Sequence, residues 1–112
     1  MFEKSRKYYL YDKPTDMRKS FFTLGAIVTS SMKLDLLTGA GFVFINRRKT
    51  HLKMLVWEGD GWSLYYKRLE RGTFEHPADL ENYHLSYEKL SLILHGIELK
   101  KIKKRRRFSL KK

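Results

Sequence analysis

The chain of 112 residues contains no cysteine, which excludes disulfide frameworks, cysteine-based zinc sites and thiol chemistry together. Proline occurs only twice, too seldom for a proline-rich linker. Long apolar runs are missing as well: the longest, Leu24 to Val28, falls far short of the ~20 residues that a bilayer span requires. Glu3, Lys4, Arg6 and Lys7 have no apolar stretch behind them, so no secretory leader and a cytoplasmic location are expected. What remains is 42% hydrophobic and 32% charged, the balance of a globular chain with one modest core rather than of a disordered one. One domain over residues 1–99 is expected.

Acidic residues are also scarce, and their distribution matters more than their number. Lys and Arg total 24 against 12 Asp and Glu, a formal charge of +12. Residues 100–112 hold nine of the basic residues and no acid, namely Lys100, Lys101, Lys103, Lys104, Arg105, Arg106, Arg107, Lys111 and Lys112. The first 99 residues therefore carry 24 − 9 = 15 basic and 12 acidic groups, a net charge of only +3. The body is nearly balanced and the end is a polycation. Such a run repels itself and reads as a basic, flexible tail whose natural partner is a polyanion. A solubilising role and an anionic membrane surface are its alternatives. Stable membrane anchoring normally needs a second signal, so no membrane partner is expected.

Apolar periodicity supplies the fold. Tyr8-Tyr9-Leu10-Tyr11, ended by Asp12-Lys13-Pro14, reads as a short strand. Thr15 and Asp16 have the features of a helix start, and Met17, Phe21, Leu24, Val28 and Met32 follow at spacings of 4, 3, 4 and 4. The pattern predicts one amphipathic helix from Thr15 to about Met32. Phe42-Val43-Phe44-Ile45, His51 to Trp57 and Trp62 to Leu69 predict three strands in an antiparallel meander. Its tight turn is expected at Asp60-Gly61, pairing Glu58 with Ser63, Trp57 with Leu64, Val56 with Tyr65 and Leu55 with Tyr66. Both faces of the meander are partly apolar, so each needs a cover. Trp57 is expected in the core and Trp62 exposed.

Residues 70–85, punctuated by Gly72 and Pro77, show no periodicity to assign, and within them Asp79, Glu81 and Asn82 read as exposed loop. Ser86 caps a second helix whose buried stripe is Leu90, Ile93 and Leu94 and whose end is Gly96, with Ile97 packing back. The expected class is α+β: an antiparallel meander of three to four strands against two amphipathic helices, followed by the basic tail.

Five blocks occur in a fixed order. They are Thr15-Asp16-Met17-Arg18-Lys19, Gly41-Phe42-Val43-Phe44, Leu55-Val56-Trp57-Glu58-Gly59-Asp60-Gly61, Tyr65-Tyr66-Lys67-Arg68-Leu69-Glu70-Arg71-Gly72-Thr73-Phe74 and Leu90-Ser91-Leu92-Ile93-Leu94-His95-Gly96-Ile97. Together, over about residues 8–99, they resemble the TnpB-type accessory protein, or second-open-reading-frame protein, of the IS-sixty-six group of insertion sequences. Glu58 stands where that family commonly has aspartate, residues 33–40 and 76–84 follow its pattern loosely, and the tail is longer and more basic. The resemblance implies a mobile-element protein that serves transposition beside a separate DDE-type transposase. It implies no mechanism.

The residues themselves argue for binding rather than catalysis. Asp16, Asp35, Glu58, Asp60 and Glu70 are acidic, but Asp16 reads as a helix start and Asp60 as a turn. His51, His76, His84 and His95 lack the close pairing that metal sites use. No cofactor, metal, small-molecule substrate or catalytic residue is expected. Three cationic points stand out within the body. Arg18 and Lys19 fall in the first turn of the predicted helix, where an anion would relieve them. Arg47, Arg48 and Lys49 sit in a strand turn. Lys67, Arg68 and Arg71 flank Tyr65 and Tyr66, an interleaving of rings and cations that suits single-stranded nucleic acid. Alternation puts the two tyrosines on opposite faces, at least one of them in the core.

DNA and RNA are equally open as partners, because phosphate attraction is common to both. The leading expectation is a transposition accessory protein that binds nucleic acid through backbone phosphates and contacts a transposase or another element-encoded protein. A protein-interaction module whose tail only confers solubility is the alternative, and an RNA-binding regulator is a third.

Overall fold

The computed structural model of the chain describes residues 1–99; the basic segment 100–112, with its predicted flexibility, lies outside them. The elements run in the order β1 (Tyr8–Leu10), α1 (Phe21–Ala26), a π-helical turn (Ile27–Ser31), β2 (Gly41–Ile45), β3 (His51–Trp57), β4 (Trp62–Arg68), a 3₁₀ turn (Glu81–Tyr83), β5 (His84–Leu85) and α2 (Tyr87–Leu94). The five strands form a single sheet in the order β4-β3-β2-β1-β5. Strands β2, β3 and β4 pair antiparallel in sequence. β1 then adds parallel to β2, and β5 adds antiparallel to β1. The class is α+β as expected, but the sheet is mixed and five-stranded rather than an antiparallel meander of three or four. A parallel pair needs a crossover, and the α1 segment is that crossover.

The sheet is apolar on both faces, and each has its own cover. Val43, Ile45, Leu52, Met54 and Val56 face Phe74 and the α2 residues Leu90 and Ile93. Phe42, Phe44 and Leu55 face Leu24, Val28 and Met32 of the crossover. Residues 41–45 are therefore buried without a break, as a central strand covered on both sides requires. Helix α2 is built as its sequence predicts. The Ser86 hydroxyl accepts from the Lys89 amide at 3.1 Å. At the other end Gly96 N–H donates to the Ile93 carbonyl and Ile97 N–H to that of Leu92, the paired bonds of a Schellman motif.

The predicted helix from Thr15 to Met32 is corrected at both ends of its logic. Residues 15–20 are not helical, and α1 begins after Ser20. Thr15 is buried and spends its N–H on the Ile45 carbonyl at 2.9 Å, so it continues the sheet instead of capping a helix. The start signal is Ser20, whose N–H donates to the Thr23 hydroxyl at 3.0 Å, one half of a capping box. Further along, the ladder widens, with Met32 N–H reaching the Ile27 carbonyl at 2.9 Å. Buried positions spaced by four drift about 40° per step on an α-helix. The wider turn brings Val28 and Met32 back onto the face of Leu24.

Lys53 explains why the chain before α1 is not helical. It lies in the middle of β3, on the α1 face, and only 7% of it is accessible. Its ammonium donates to the carbonyls of Met17 at 2.7 Å and Lys19 at 2.8 Å. A helix over residues 15–20 would consume those carbonyls in its own ladder.

The β3–β4 turn is corrected as well. Glu58 N–H donates to the Gly61 carbonyl at 2.8 Å, so the two central residues are Gly59 and Asp60. Gly59 has φ +96°, which a type II′ turn requires of its first central residue. Trp57 consequently pairs with Trp62 and Leu55 with Leu64, a register two residues away from the sequence expectation. A shift of two keeps every side chain on its face. Both tryptophans are half-buried, their ring centroids 4.8 Å apart, so neither the core assignment of Trp57 nor the exposure of Trp62 holds. Within residues 70–85, where the sequence has no clear pattern, Phe74 is core and His84–Leu85 is the fifth strand, while Asp79, Glu81 and Asn82 are exposed as expected. His76 Nε2 lies 2.9 Å from the Tyr11 carbonyl and fastens this segment to the end of β1. Burial lowers the His76 pKa below its ordinary value.

Two substitutions test this architecture by urea unfolding. A Cβ on Gly41 would lie 2.7 Å from both Met54 Sδ and Tyr8 Cδ1. Gly41→Ala is expected to cost about 1–3 kcal/mol by overpacking, and an unchanged midpoint would show that β1 does not pack there. Lys53→Met keeps the stem and removes the ammonium. It is expected to cost about 1.5–3 kcal/mol, the worth of a charged hydrogen bond, and an equally stable variant would mean that the two carbonyl contacts contribute nothing.

Candidate nucleic-acid interface

The β2–β3 connection is a short loop fastened by one side chain. Asn46 Oδ1 accepts from the amides of Thr50 at 2.9 Å and His51 at 3.0 Å. These bonds orient the amide, so Asn46 Nδ2 faces the Thr50 hydroxyl and His51 Nδ1, both at 3.2 Å. Lys49 closes the loop in the left-handed region at φ +62°, its N–H on the Asn46 carbonyl at 3.0 Å. The loop holds Arg47, Arg48 and Lys49 exposed.

Across from it lies the non-helical segment that Lys53 tethers, turned so that Lys19 N–H donates to the Asp16 carbonyl at 3.1 Å. Pro14, Thr15, Asp16, Met17 and Lys19 form one wall of a groove, and Asn46, Arg47, Arg48 and His51 form the other, enclosing about 540 Å³. Two cationic points that are 28 residues apart in sequence, Lys19 and Arg47, therefore share one depression. Three cations face a single carboxylate there. That carboxylate, Asp16, is occupied: it accepts from Arg18 Nε at 3.1 Å and Nη2 at 2.7 Å, and from the Arg18 amide at 2.9 Å. The side-chain and then the backbone bond from Arg18 hold its pKa down at about 2. Arg18 is in turn neutralised by Asp16, and neither Arg18 nor Lys19 stands in a helix.

The third cationic point is not a cluster. Lys67 points to the opposite face, with Nζ 3.5 Å from the Leu94 carbonyl at the end of α2. Arg68 pairs with Glu70 at 3.1 Å, and Arg71 is exposed. The two tyrosines divide as alternation requires. Tyr65 packs edge-on to Phe2 against the α2-side core. Tyr66 is 52% accessible on the other face, with its ring centroid 5.9 Å from that of His51 and 4.8 Å from the Lys53 ammonium. Lys100, Lys101, Lys103, Lys104, Arg105, Arg106 and Arg107 lie outside the described residues.

Reasoning from sequence names the loop arginines but misses Asn46 and Lys53. Both leave a signal: an asparagine at a strand end favours a side-chain-closed turn, and a lysine inside the apolar run Leu52 to Trp57 needs a buried acceptor. Among the described residues no group of three or more His, Asp and Glu could hold a metal ion. Nor is any helix among them long and apolar enough to cross a membrane.

The uncharacterized protein y4jC of Sinorhizobium fredii is 33% identical over 94 residues, 83% of this chain and 80% of its own. The uncharacterized protein y4hO of the same organism is 40% identical over 85 residues, 75% of this chain and 74% of its own. No solved structure matches. The family model described as IS66 Orf2 like protein matches residues 6–104, spanning every strand and helix set out above, and the chain belongs to that family of insertion-sequence accessory proteins.

Proposed function

We propose that this protein is a non-catalytic accessory component of transposition that holds element DNA by its phosphates and assists a separate DDE-type transposase. The observation that carries the reading is the shared groove of Lys19, Arg47 and Arg48. Cations brought to one groove by unrelated chain segments concentrate positive charge where a phosphate backbone can meet several of them at once. Lys49 extends the same loop. Arg18 is a weaker contributor because Asp16 already accepts its hydrogen bonds. Arg68 would have to leave Glu70, and Arg71 stands apart. The domain of residues 1–99 supplies orientation in this scheme, and the tail of nine basic residues supplies most of the attraction.

A protein-interaction module is the second reading, and one residue favours it. Phe22 is 94% accessible on the first turn of α1, beside Phe21 at 40%. Aromatic residues so placed are common anchors at protein interfaces. The two readings are compatible if Phe22 meets the transposase while the groove meets DNA.

Salt dependence separates them. Each phosphate neutralised on duplex DNA contributes about −0.9 to the slope of log K against log salt. If about half of the nine tail cations engage at once, truncation after Leu99 flattens the slope by about 4. Replacing Lys19, Arg47 and Arg48 by alanine in the full chain is expected to flatten it by about 2–3, and Arg18→Ala by far less. Fluorescence anisotropy with a duplex probe at several salt concentrations measures all three. Should neither truncation nor the triple replacement change affinity or slope, the protein-contact reading takes over, and Phe22→Ala becomes the variant that loses the transposase.

A further inference from the structure

We propose that the groove selects single-stranded DNA, with an unpaired base stacked on Tyr66 and the adjoining phosphates on Lys19, Arg47 and Arg48. This rests on the phosphate-binding reading above and adds to it the state of the strand. Two links place Tyr66 at the groove. His51, which lines it, lies against the tyrosine ring with centroids 5.9 Å apart and planes inclined by 34°. Lys53, whose ammonium holds the carbonyls of Met17 and Lys19 in the opposite wall, sits 4.8 Å from the ring centroid.

The ring is exposed and yet held. Lys53 is its cross-strand partner in the β3–β4 register, and the ammonium lies over the ring. A cation and an imidazole thus both neighbour the ring, while about half of the residue is open to solvent. A base that stacks there meets a ring already in contact with two neighbours, so less side-chain freedom is lost on binding.

Duplex DNA offers phosphates to the rim but keeps its base faces inside the helix, out of reach of Tyr66. An unpaired strand offers both at once. Stacking is indifferent to base identity because every base has a π-face, so the preference is for strand state rather than sequence. DNA rather than RNA is the strand that an insertion-sequence protein meets as its own element.

The test uses the full chain and three labelled probes in anisotropy: an oligothymidylate, a duplex of equal length and an oligouridylate. Tyr66→Ala is expected to weaken oligothymidylate binding by between about 5-fold and about 150-fold, the range of one stacked base. Duplex binding should change less than twofold, and Tyr66→Phe, which keeps the π-face, should restore the loss. Arg47→Ala with Arg48→Ala should weaken all three probes. If Tyr66→Ala weakens duplex and single strand alike, or neither, the stacking proposal is overturned while the phosphate reading stands on the arginine variant. If the arginine variant changes nothing, the groove is not the phosphate site, and both the stacking proposal and the groove's part in the phosphate reading fail. Tighter, Tyr66-dependent binding of the oligouridylate overturns the assignment to DNA. Circular dichroism of each variant confirms that the fold is intact.

Discussion

Lys53 occupies a position where the alternation of β3 calls for an apolar side chain, and the surroundings have been arranged to suit it. Isolated ammonium groups are costly to bury, and this one has two main-chain carbonyls and an aromatic face in place of a carboxylate. Satisfying it dictates that residues 17–19 stay out of the helix, in a turn against the sheet. That in turn delays α1 to Phe21, turns the Lys19 side of the segment toward the β2–β3 loop, and leaves Thr15 to complete its hydrogen bonding on Ile45. One buried charge thus sets the position of a helix, a loop wall and a cationic groove.

The charge of the body is small in sum but uneven in availability. Arg6 is tied to the Gly39 carbonyl and lies beside Glu3 and Glu58. Arg18 is matched by Asp16 and Arg68 by Glu70. Exposed pairs of this kind add little stability, yet they remove cations from competition for an outside anion. Lys67 sits at the carbonyl end of α2, where the helix dipole favours a positive group. The loop arginines stand apart because the hydrogen bonds that shape their loop are made by Asn46 and the main chain, leaving the guanidinium groups out of the architecture.

Local signals were legible and distant ones were not. The strands, the Ser86 cap and the glycine-ended α2 follow from nearest-neighbour chemistry, and the two apolar faces of the meander correctly require two covers. The helix start at Ser20 was hidden because Thr15, Asp16 and Met17 imitate a capped amphipathic turn. Only an interaction 34 residues away, from Lys53 to the Lys19 carbonyl, forbids it. The turn at Gly59-Asp60 was misplaced by one residue since Asp-Gly and Gly-Asp are both competent turn pairs. β5 is two residues long and has no periodicity to detect. As for the site, the loop arginines were readable as a charge run. Their convergence with Lys19 depends on the parallel β1–β2 pairing and could not be read from spacing.

That pairing also sets an order of assembly. The β2–β3 and β3–β4 ladders close short loops, whereas Tyr8 meets Gly41 and then Leu85 across most of the chain. Loop-closure entropy favours the local hairpins first and the distant strands last. Lys53 belongs to the early part and its carbonyl acceptors to the late part. The groove therefore joins a part of the sheet built from local pairings to a segment that only distant pairings hold in place.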